Sequence, residues 1–333
     1  MNNRRTTLSL ALVAALGAFS AESAMAADKI ALVVKSLGNG FFDAAHQGAQ
    51  EAAKELKDVE IIYTGPAKAT AEGQIEVINT LIAQNVKAIV ISANDPDALV
   101  PVLKKAMSRG IKVVSFDSSV RKDGRQMHLA PSSNALIGQK LVTMAQDAVG
   151  KTGEIAVLSA TAQATNQNIW IGEMKKVLAQ PAYSGLKLVS VVYGDDQTDK
   201  SYREAQGLFK SHPNLKAIVA PTTVGVAAAA KAVQDEKKVG QMFVTGLGLP
   251  SEMAGHVKSG AVKNFAIWNP IDLGYSSVHA AYAFVKGKAK GQAGEKISLG
   301  RVGTVTLDKD NEAAMAEPFT YDGSNVEKFA KFF

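Results

Sequence analysis

Residues 94–117 read NDPDALVPVLKKAMSRGIKVVSFD. The stretch holds one complete helix-to-strand unit. Asn94 or Asp95 can cap a helix, because a short polar side chain accepts from amides that the first helical turn leaves unpaired. An amphipathic run over Asp97–Arg109 follows, and Gly110 ends it. A β-branched strand, Lys112–Phe116, begins at once, and a carboxylate, Asp117, stands directly after it.

The same alternation extends both ways. Upstream and immediately downstream, Ile30–Val34, Glu60–Tyr63, Ala88–Ser92 and Gln126–Leu129 read as strands, with helices at Phe42–Leu56 and Ala71–Gln84. The alternation then restarts. Glu154–Ser159, Leu186–Tyr193, Ala217–Ala220, Gln241–Gly246 and Lys263–Ile267 read as strands, with helices at Asn166–Leu178, Ser201–Ser211, Gly225–Gln234 and Pro250–Lys258. A further helix, Leu273–Val285, precedes a polar loop and a strand-like Gly303–Leu307. Strands that alternate with helices predict doubly wound parallel sheets, here two of them.

Ligands of open parallel sheets bind beyond the carboxyl ends of the strands, so the residues just after each strand are the candidate site. They are Lys35, Asn39, Phe41 and Phe42 after the first strand and Asp117 after the fourth. Asn166 and Gln167 open a helix in the second half, Pro221, Thr222 and Thr223 follow a strand there, and Trp268 and Asn269 follow the last. Neutral polar groups and aromatics dominate, with one cation and one carboxylate. Such a set suits a polyol. A carboxylate accepts from two neighbouring hydroxyls, amides offer a donor and an acceptor each, and aromatic faces cover the C–H face of a sugar ring. Each residue also has a plainer role: Lys35 a solvated cation, Asp117, Asn166, Thr222 and Thr223 turn or helix caps, one of Phe41 and Phe42 core, Trp268 hinge packing.

Other chemistries find little support. AQDAVGKT, residues 145–152, has the letters of a phosphate-binding loop, but such a loop must follow a strand and open a helix, and here a helix precedes and a strand follows. The GNG at 38–40 lacks the third glycine of a dinucleotide fingerprint. Five histidines are scattered without metal spacing, there is no cysteine, and no serine nucleophile elbow appears; Asp195 and Asp196 read as solvated acids on a turn. No cofactor, metal or catalytic constellation is expected. The formal charge of +6 is spread along the chain without a basic block, which argues against nucleic acid.

Residues 1–26 read as a secretory signal peptide. Arg4 and Arg5 precede an apolar run, Leu8–Phe19, too short to span a bilayer, and Ala24 and Ala26 form a small-x-small cleavage pattern. No later stretch is long and apolar enough to insert in a membrane.

Several stretches now bear on a family: ALVVKSLGNGFF (31–42), ISANDPDALVPVLKKA (91–106), ATNQNIW (164–170), APTTVG (220–225), TGLGLPSEMAG (245–255) and FAIWNPIDLG (265–274). With the export signal and the two α/β halves, they resemble the periplasmic sugar-binding proteins of ABC importers in the ribose-binding group, most closely rhamnose binders, with autoinducer-2 binders sharing the framework. The resemblance implies a type I fold of two lobes joined by three crossovers, near Ala130–Asn134, Trp268–Pro270 and Leu299–Gly303. The first lobe would comprise 27–131 and 270–300, the second 132–269 and 301–333. It implies a monomer that closes on a sugar and docks on a membrane permease. It puts Asn39, Phe41 and Phe42 at ribose-group contact positions and Lys35, Asp117, Gln167, Pro221 and Thr223 on the autoinducer-2 pattern. Two departures accompany it. Asn166 stands where that pattern has Asp, and LGLP stands where ribose binders carry an Asp. A pocket with one carboxylate fewer suits a 6-deoxyhexose whose methyl meets an aromatic or Pro221. A secreted α/β enzyme and a regulator's effector domain are the competing classes; the second is opposed by the export signal.

Overall fold

The computed structural model describes residues 27–333; the expected signal peptide, 1–26, lies outside the described residues. The first lobe opens with β1 (Asp28–Val33), α1 (Gly40–Leu56), β2 (Val59–Thr64), α2 (Ala71–Ala83), β3 (Ala88–Ile91), α3 (Val100–Ser108), β4 (Lys112–Phe116) and β5 (Met127–Ala130). The strands are parallel in the order β2-β1-β3-β4-β5. β3 is buried along its whole length, as the all-apolar AIVI of a strand covered on both faces requires.

Residues 131–133 carry the chain into the second lobe. There α4 (Asn134–Val149), β6 (Gly153–Ser159), α5 (Thr165–Leu178), β7 (Leu186–Tyr193), α6 (Thr198–Ser211), β8 (Leu215–Ala220), α7 (Thr223–Asp235), β9 (Phe243–Gly246), α8 (Pro250–Lys258) and β10 (Asn264–Ile267) follow. Their sheet runs β7-β6-β8-β9 in parallel, and bridges at Val244–Val262 and Leu247–Ala266 tie the β10 segment to β9.

At Trp268–Asn269 the chain returns, and α9 (Pro270–Val285) packs on α1. The contact is made by small residues. Ala45, Gly48, Ala49 and Ala52 recur at helical spacing on α1, and a Cβ at Gly48 would stand 1.8 Å from the Ile271 carbonyl oxygen. A Cβ at Gly274 would stand 1.9 Å from that of Ala45. The two helix backbones touch because glycine occupies both crossing points.

The remainder of the chain corrects the expected lobe boundaries. A hairpin, β11 (Lys296–Ser298) and β12 (Thr304–Thr306), is followed by β13 (Glu312–Ala314), which adds to the first sheet beside β5. Residues 301–316 therefore do not join the second lobe. The third crossover lies at 315–318 rather than Leu299–Gly303, before β14 (Phe319–Asp322) pairs antiparallel with β10 and α10 (Val326–Phe329) follows. Arg125 supplies the reason. Its buried guanidinium donates to the carbonyls of Asp310 and Asn311, each at 3.2 Å, and pairs with the Glu312 carboxylate. A buried cation needs such partners, and they hold a sequence of poor strand propensity, EAA, against β5. The amides of Met315 and Ala316 then donate to the carbonyls of Ala130 and Pro131, each at 3.0 Å, so the first and third crossovers run side by side.

A second difference is local. Helix α3 starts at Val100, not Asp97. Asp95 does accept from the amides of Asp97 and Ala98, at 2.8 Å each, but it caps a separate turn, and Pro101 lies in the first turn of the helix proper.

Gly48→Ala drives a methyl into backbone and lowers the unfolding free energy by about 1–3 kcal/mol or more, as read by urea denaturation. Gly172→Ala, inside α5 with open space around its Cα, is the control. It leaves stability unchanged or raised by up to about 1 kcal/mol through helix propensity.

Candidate functional site

The carboxyl ends of both sheets face one shared cavity. Its floor is a hydrogen-bonded chain that crosses between the lobes. Lys35, two residues past β1, is only 4% exposed and donates from Nζ to Asn166 Oδ1 at 2.9 Å. Asn166, at the start of α5, donates from Nδ2 to Asp117 Oδ1 at 3.0 Å. Ser92, after β3, donates to Asp117 Oδ2 at 2.7 Å. One amide of the second lobe thus reads a cation and a carboxylate of the first, each through the atom of matching polarity.

Asp117 is held there by an uncommon backbone. Its φ of 57° lies in the left-handed region, and the Ser118 amide reaches the Phe116 carbonyl at 2.5 Å to close a tight turn over it. Such a conformation costs free energy in a non-glycine residue and turns the side chain out of the strand's course toward the cavity. Burial pushes the Asp117 carboxyl above the ordinary carboxylate range, against the opposing pull of the Lys35 charge and of the Ser92 and Asn166 hydrogen bonds.

Asn39 does two things. It caps α1 by accepting from the Phe41 amide at 3.0 Å, and the same oxygen takes the Thr223 hydroxyl of the second lobe at 3.4 Å. Gln167 accepts from Ser159 Oγ at 2.7 Å and the Ala160 amide at 2.8 Å, which ties α5 to the end of β6. The aromatic wall joins the lobes too. Phe41 lies edge-to-face against Phe42 at 5.2 Å and Trp268 at 6.2 Å, and Trp268 meets Trp170 of α5 at 5.7 Å.

Eleven of the twelve residues expected from the sequence line this cavity: Lys35, Asn39, Phe41, Phe42, Asp117, Asn166, Gln167, Pro221, Thr222, Thr223 and Trp268. Asn269 is not among its walls. Its side chain caps α9, accepting from the amides of Ile271 and Asp272, and donates to the Asp272 carboxylate. Phe41 and Phe42 both face the cavity and both are buried, rather than one of each.

Four wall residues escaped the sequence reading: Trp170, Asp196, Leu247 and Ile267. Trp170 follows Asn166 by four positions, one helical turn on the same face. Ile267 ends β10 and Leu247 follows β9, so the strand-end rule could have included both. Asp196 carries no such signal, because adjacent acids on a turn are ordinarily solvated. It brings a second carboxylate to the cavity, where the strand-end inventory holds one; burial raises its pKa.

A family model described as a periplasmic binding protein domain matches residues 30–289. The chain belongs to the periplasmic binding proteins. Among relatives of this binding protein, the D-ribose/D-allose-binding protein of Pseudomonas aeruginosa is 29% identical over 272 residues, covering 78% of this chain and 84% of its own. The D-allose-binding periplasmic protein of Escherichia coli is 27% identical over 270 residues, 78% of this chain and 85% of its own. Among solved structures, an ABC transporter solute-binding protein from Clostridium phytofermentas with bound L-rhamnose superposes with a TM-score of 0.89 at 37% identity, covering 92% of this chain and 99% of that one. A Clostridium saccharobutylicum protein in complex with AI-2 has a TM-score of 0.85 at 22% identity, with coverage of 90% and 99%, and shows the shared fold. No helix among the described residues is long and apolar enough to cross a membrane.

Removing the cation tests the electrostatics of the floor. Lys35 lowers the Asp117 pKa, so Lys35→Met takes away a stabiliser of the carboxylate and moves that pKa further up. A pH titration of the Asp117 carboxyl carbon by NMR reads the shift; a midpoint unchanged or lowered would contradict the assignment.

Proposed function

We propose that this binding protein is the solute-binding component of an ABC importer, that its ligand is a monosaccharide, and that the ligand is L-rhamnose or a related 6-deoxyhexose. One observation carries the reading. A cavity between two lobes is floored by a lysine, an amide and a carboxylate hydrogen-bonded across the cleft, and walled by four aromatic rings. Polar groups that both donate and accept match ring hydroxyls, and the rings match the C–H face of a pyranose.

The choice of a deoxysugar is supported by the apolar part of the wall. Leu247, Ile267, Pro221 and Trp170 add apolar side chains to the lining, and against such side chains an exocyclic methyl is better accommodated than a hydroxymethyl, whose oxygen would lose its hydrogen bonds. The L-rhamnose-bound neighbour at 37% identity agrees with this choice, and the ribose and allose binders agree with the wider class. Lys35, Asn39, Phe41, Phe42, Asp117, Asn166, Gln167, Pro221, Thr222, Thr223 and Trp268 are the proposed contacts.

The mechanism is a hinge. Crossovers at 131–133, 268–269 and 315–318 are the only covalent links between the lobes among the described residues. A ligand that touches both walls favours the closed arrangement by its differential affinity for it, and the closed form then docks on the permease. We place the mature chain in the periplasm, after loss of residues 1–26, as a monomer without catalytic activity.

A thermal-shift panel of L-rhamnose, L-fucose, D-ribose, D-allose and autoinducer-2 tests the reading. At a hundredfold the dissociation constant, the true ligand adds about 2.7 kcal/mol of stability. L-rhamnose is expected to give the largest shift; a larger one from autoinducer-2 would move the assignment to signal uptake, and none from any sugar would sink it. Both tryptophans of the sequence, Trp170 and Trp268, line the cavity, so intrinsic fluorescence is expected to change with the same ligand and to saturate with the same affinity.

A further inference from the structure

Asp195 and Asp196 are adjacent acids that the fold sends in opposite directions. The Gln197 amide donates to the Gly194 carbonyl at 3.0 Å, closing a four-residue turn whose two central residues have φ of 55° and 50°. Turns with two left-handed central residues favour Gly, Asn and Asp, and their consecutive side chains diverge. The turn is anchored to the end of β6: the Gly194 and Asp195 amides donate to the carbonyls of Ser159 and Ala160, at 2.9 and 3.0 Å. Asp195 leans outward and takes the Lys200 ammonium at 2.5 Å. Asp196 lines the cavity, where Thr222 Oγ1 donates to its Oδ1.

The two carboxylates of the cavity differ in what already occupies them. Asp117, from the first lobe, has protein donors on both oxygens, Asn166 on Oδ1 and Ser92 on Oδ2. Asp196, from the second lobe, has a donor on Oδ1, while no described residue donates to Oδ2; that atom is also not sealed from solvent space. A carboxylate oxygen of the cavity lining without a protein donor is a strong vacant acceptor, because hydrogen bonds to ionised acceptors are the stronger ones.

We propose that Asp196 is a specificity-determining residue, gripping a ring hydroxyl of the ligand from the second lobe opposite Asp117. Each lobe then contributes one carboxylate, and a hydroxyl that reaches Asp196 is within the cavity only when the lobes are together. Thr222 is the positioning residue that fixes the carboxyl. The assignment rests on the sugar-binding reading of the cavity, and it favours neutral polyols over sugar acids, whose carboxylate would meet two acids against a single lysine.

The test is calorimetric titration of the full mature chain with the panel sugar that wild type binds most tightly, and with each of that sugar's monodeoxy analogues. Asp196→Asn retains the side-chain shape and tolerates a left-handed φ, and Asp196→Gly does so without any side chain, so a folded carboxylate-free protein is available from one or the other. Both variants are expected to lose about ten- to a hundredfold in affinity for the parent sugar. For one deoxy analogue alone, wild type and variant are expected to bind equally, since the hydroxyl that Asp196 reads is already gone. A merely structural role would depress every analogue alike. A parent-sugar affinity within about twofold of wild type, or a loss uniform across all analogues, overturns the assignment while leaving the sugar-binding reading standing. If wild type binds no panel sugar, that reading fails and the assignment falls with it.

Discussion

The carboxamide of Asn166 is the contact on which the closed arrangement turns. It stands between the Lys35 ammonium and the Asp117 carboxylate, accepting from one and donating to the other. Both charged groups are nearly out of water, and an isolated buried charge is costly enough that it would neutralise or find a partner. Here a partner of each, the Asn166 carboxamide, lies in the other lobe. Opening the cleft would return both charges to solvent, and closing it exchanges water for one amide. Because an amide carries no net charge, the exchange leaves the lysine and the aspartate formally balanced, and a neutral ligand disturbs that balance least. Ser92 below and the left-handed turn at Asp117 hold the carboxylate in place from within the first lobe, so that half of the floor does not depend on closure.

That floor depends in turn on rigid walls. In the first lobe, α1 begins at Asn39 in the cavity and runs away from it, locked to α9 by two glycines at backbone contact. The helix that carries the cavity's Phe41 and Phe42 is therefore bound to the helix that follows the second crossover. In the second lobe, Gln167 ties α5 to β6, so Asn166 and Trp170 move as one body with that sheet. In the proposed closure, movement is left to the three crossovers. The first and third run side by side, with the amides of Met315 and Ala316 donating to the carbonyls of Ala130 and Pro131, so those two are not independent linkers.

Much of this was legible in the chain. The strand-helix alternation predicts two doubly wound sheets, and the rule that ligands gather at strand carboxyl ends brings eleven of twelve chosen residues to one cavity. Asn269 was chosen by that same rule and lies elsewhere, because a residue that follows a strand and precedes a helix can equally serve as the cap of that helix. Asp196 was passed over because a pair of acids on a turn is ordinarily solvated; nothing in its neighbours announces that the turn has two left-handed residues and splits the pair. The third crossover was misplaced because Glu312–Ala314 has neither alternation nor strand propensity and is a strand only through Arg125 and β5.

Local periodicity and turn chemistry, which act over a few residues, determined by themselves that the chain alternates strands and helices, that the run of strands restarts, and which residues stand at strand ends. The tertiary structure alone decided which of those ends meet, that one amide would serve two charges from the opposite lobe, and that a distant tripeptide would complete the first sheet. These contacts join positions far apart in the chain, 49 residues for Asp117 with Asn166, 131 for Lys35 with Asn166 and 187 for Arg125 with Glu312. They matter because removing charge from water is costly and these partners offset that cost, which no stretch of sequence expresses until the lobes have folded around it.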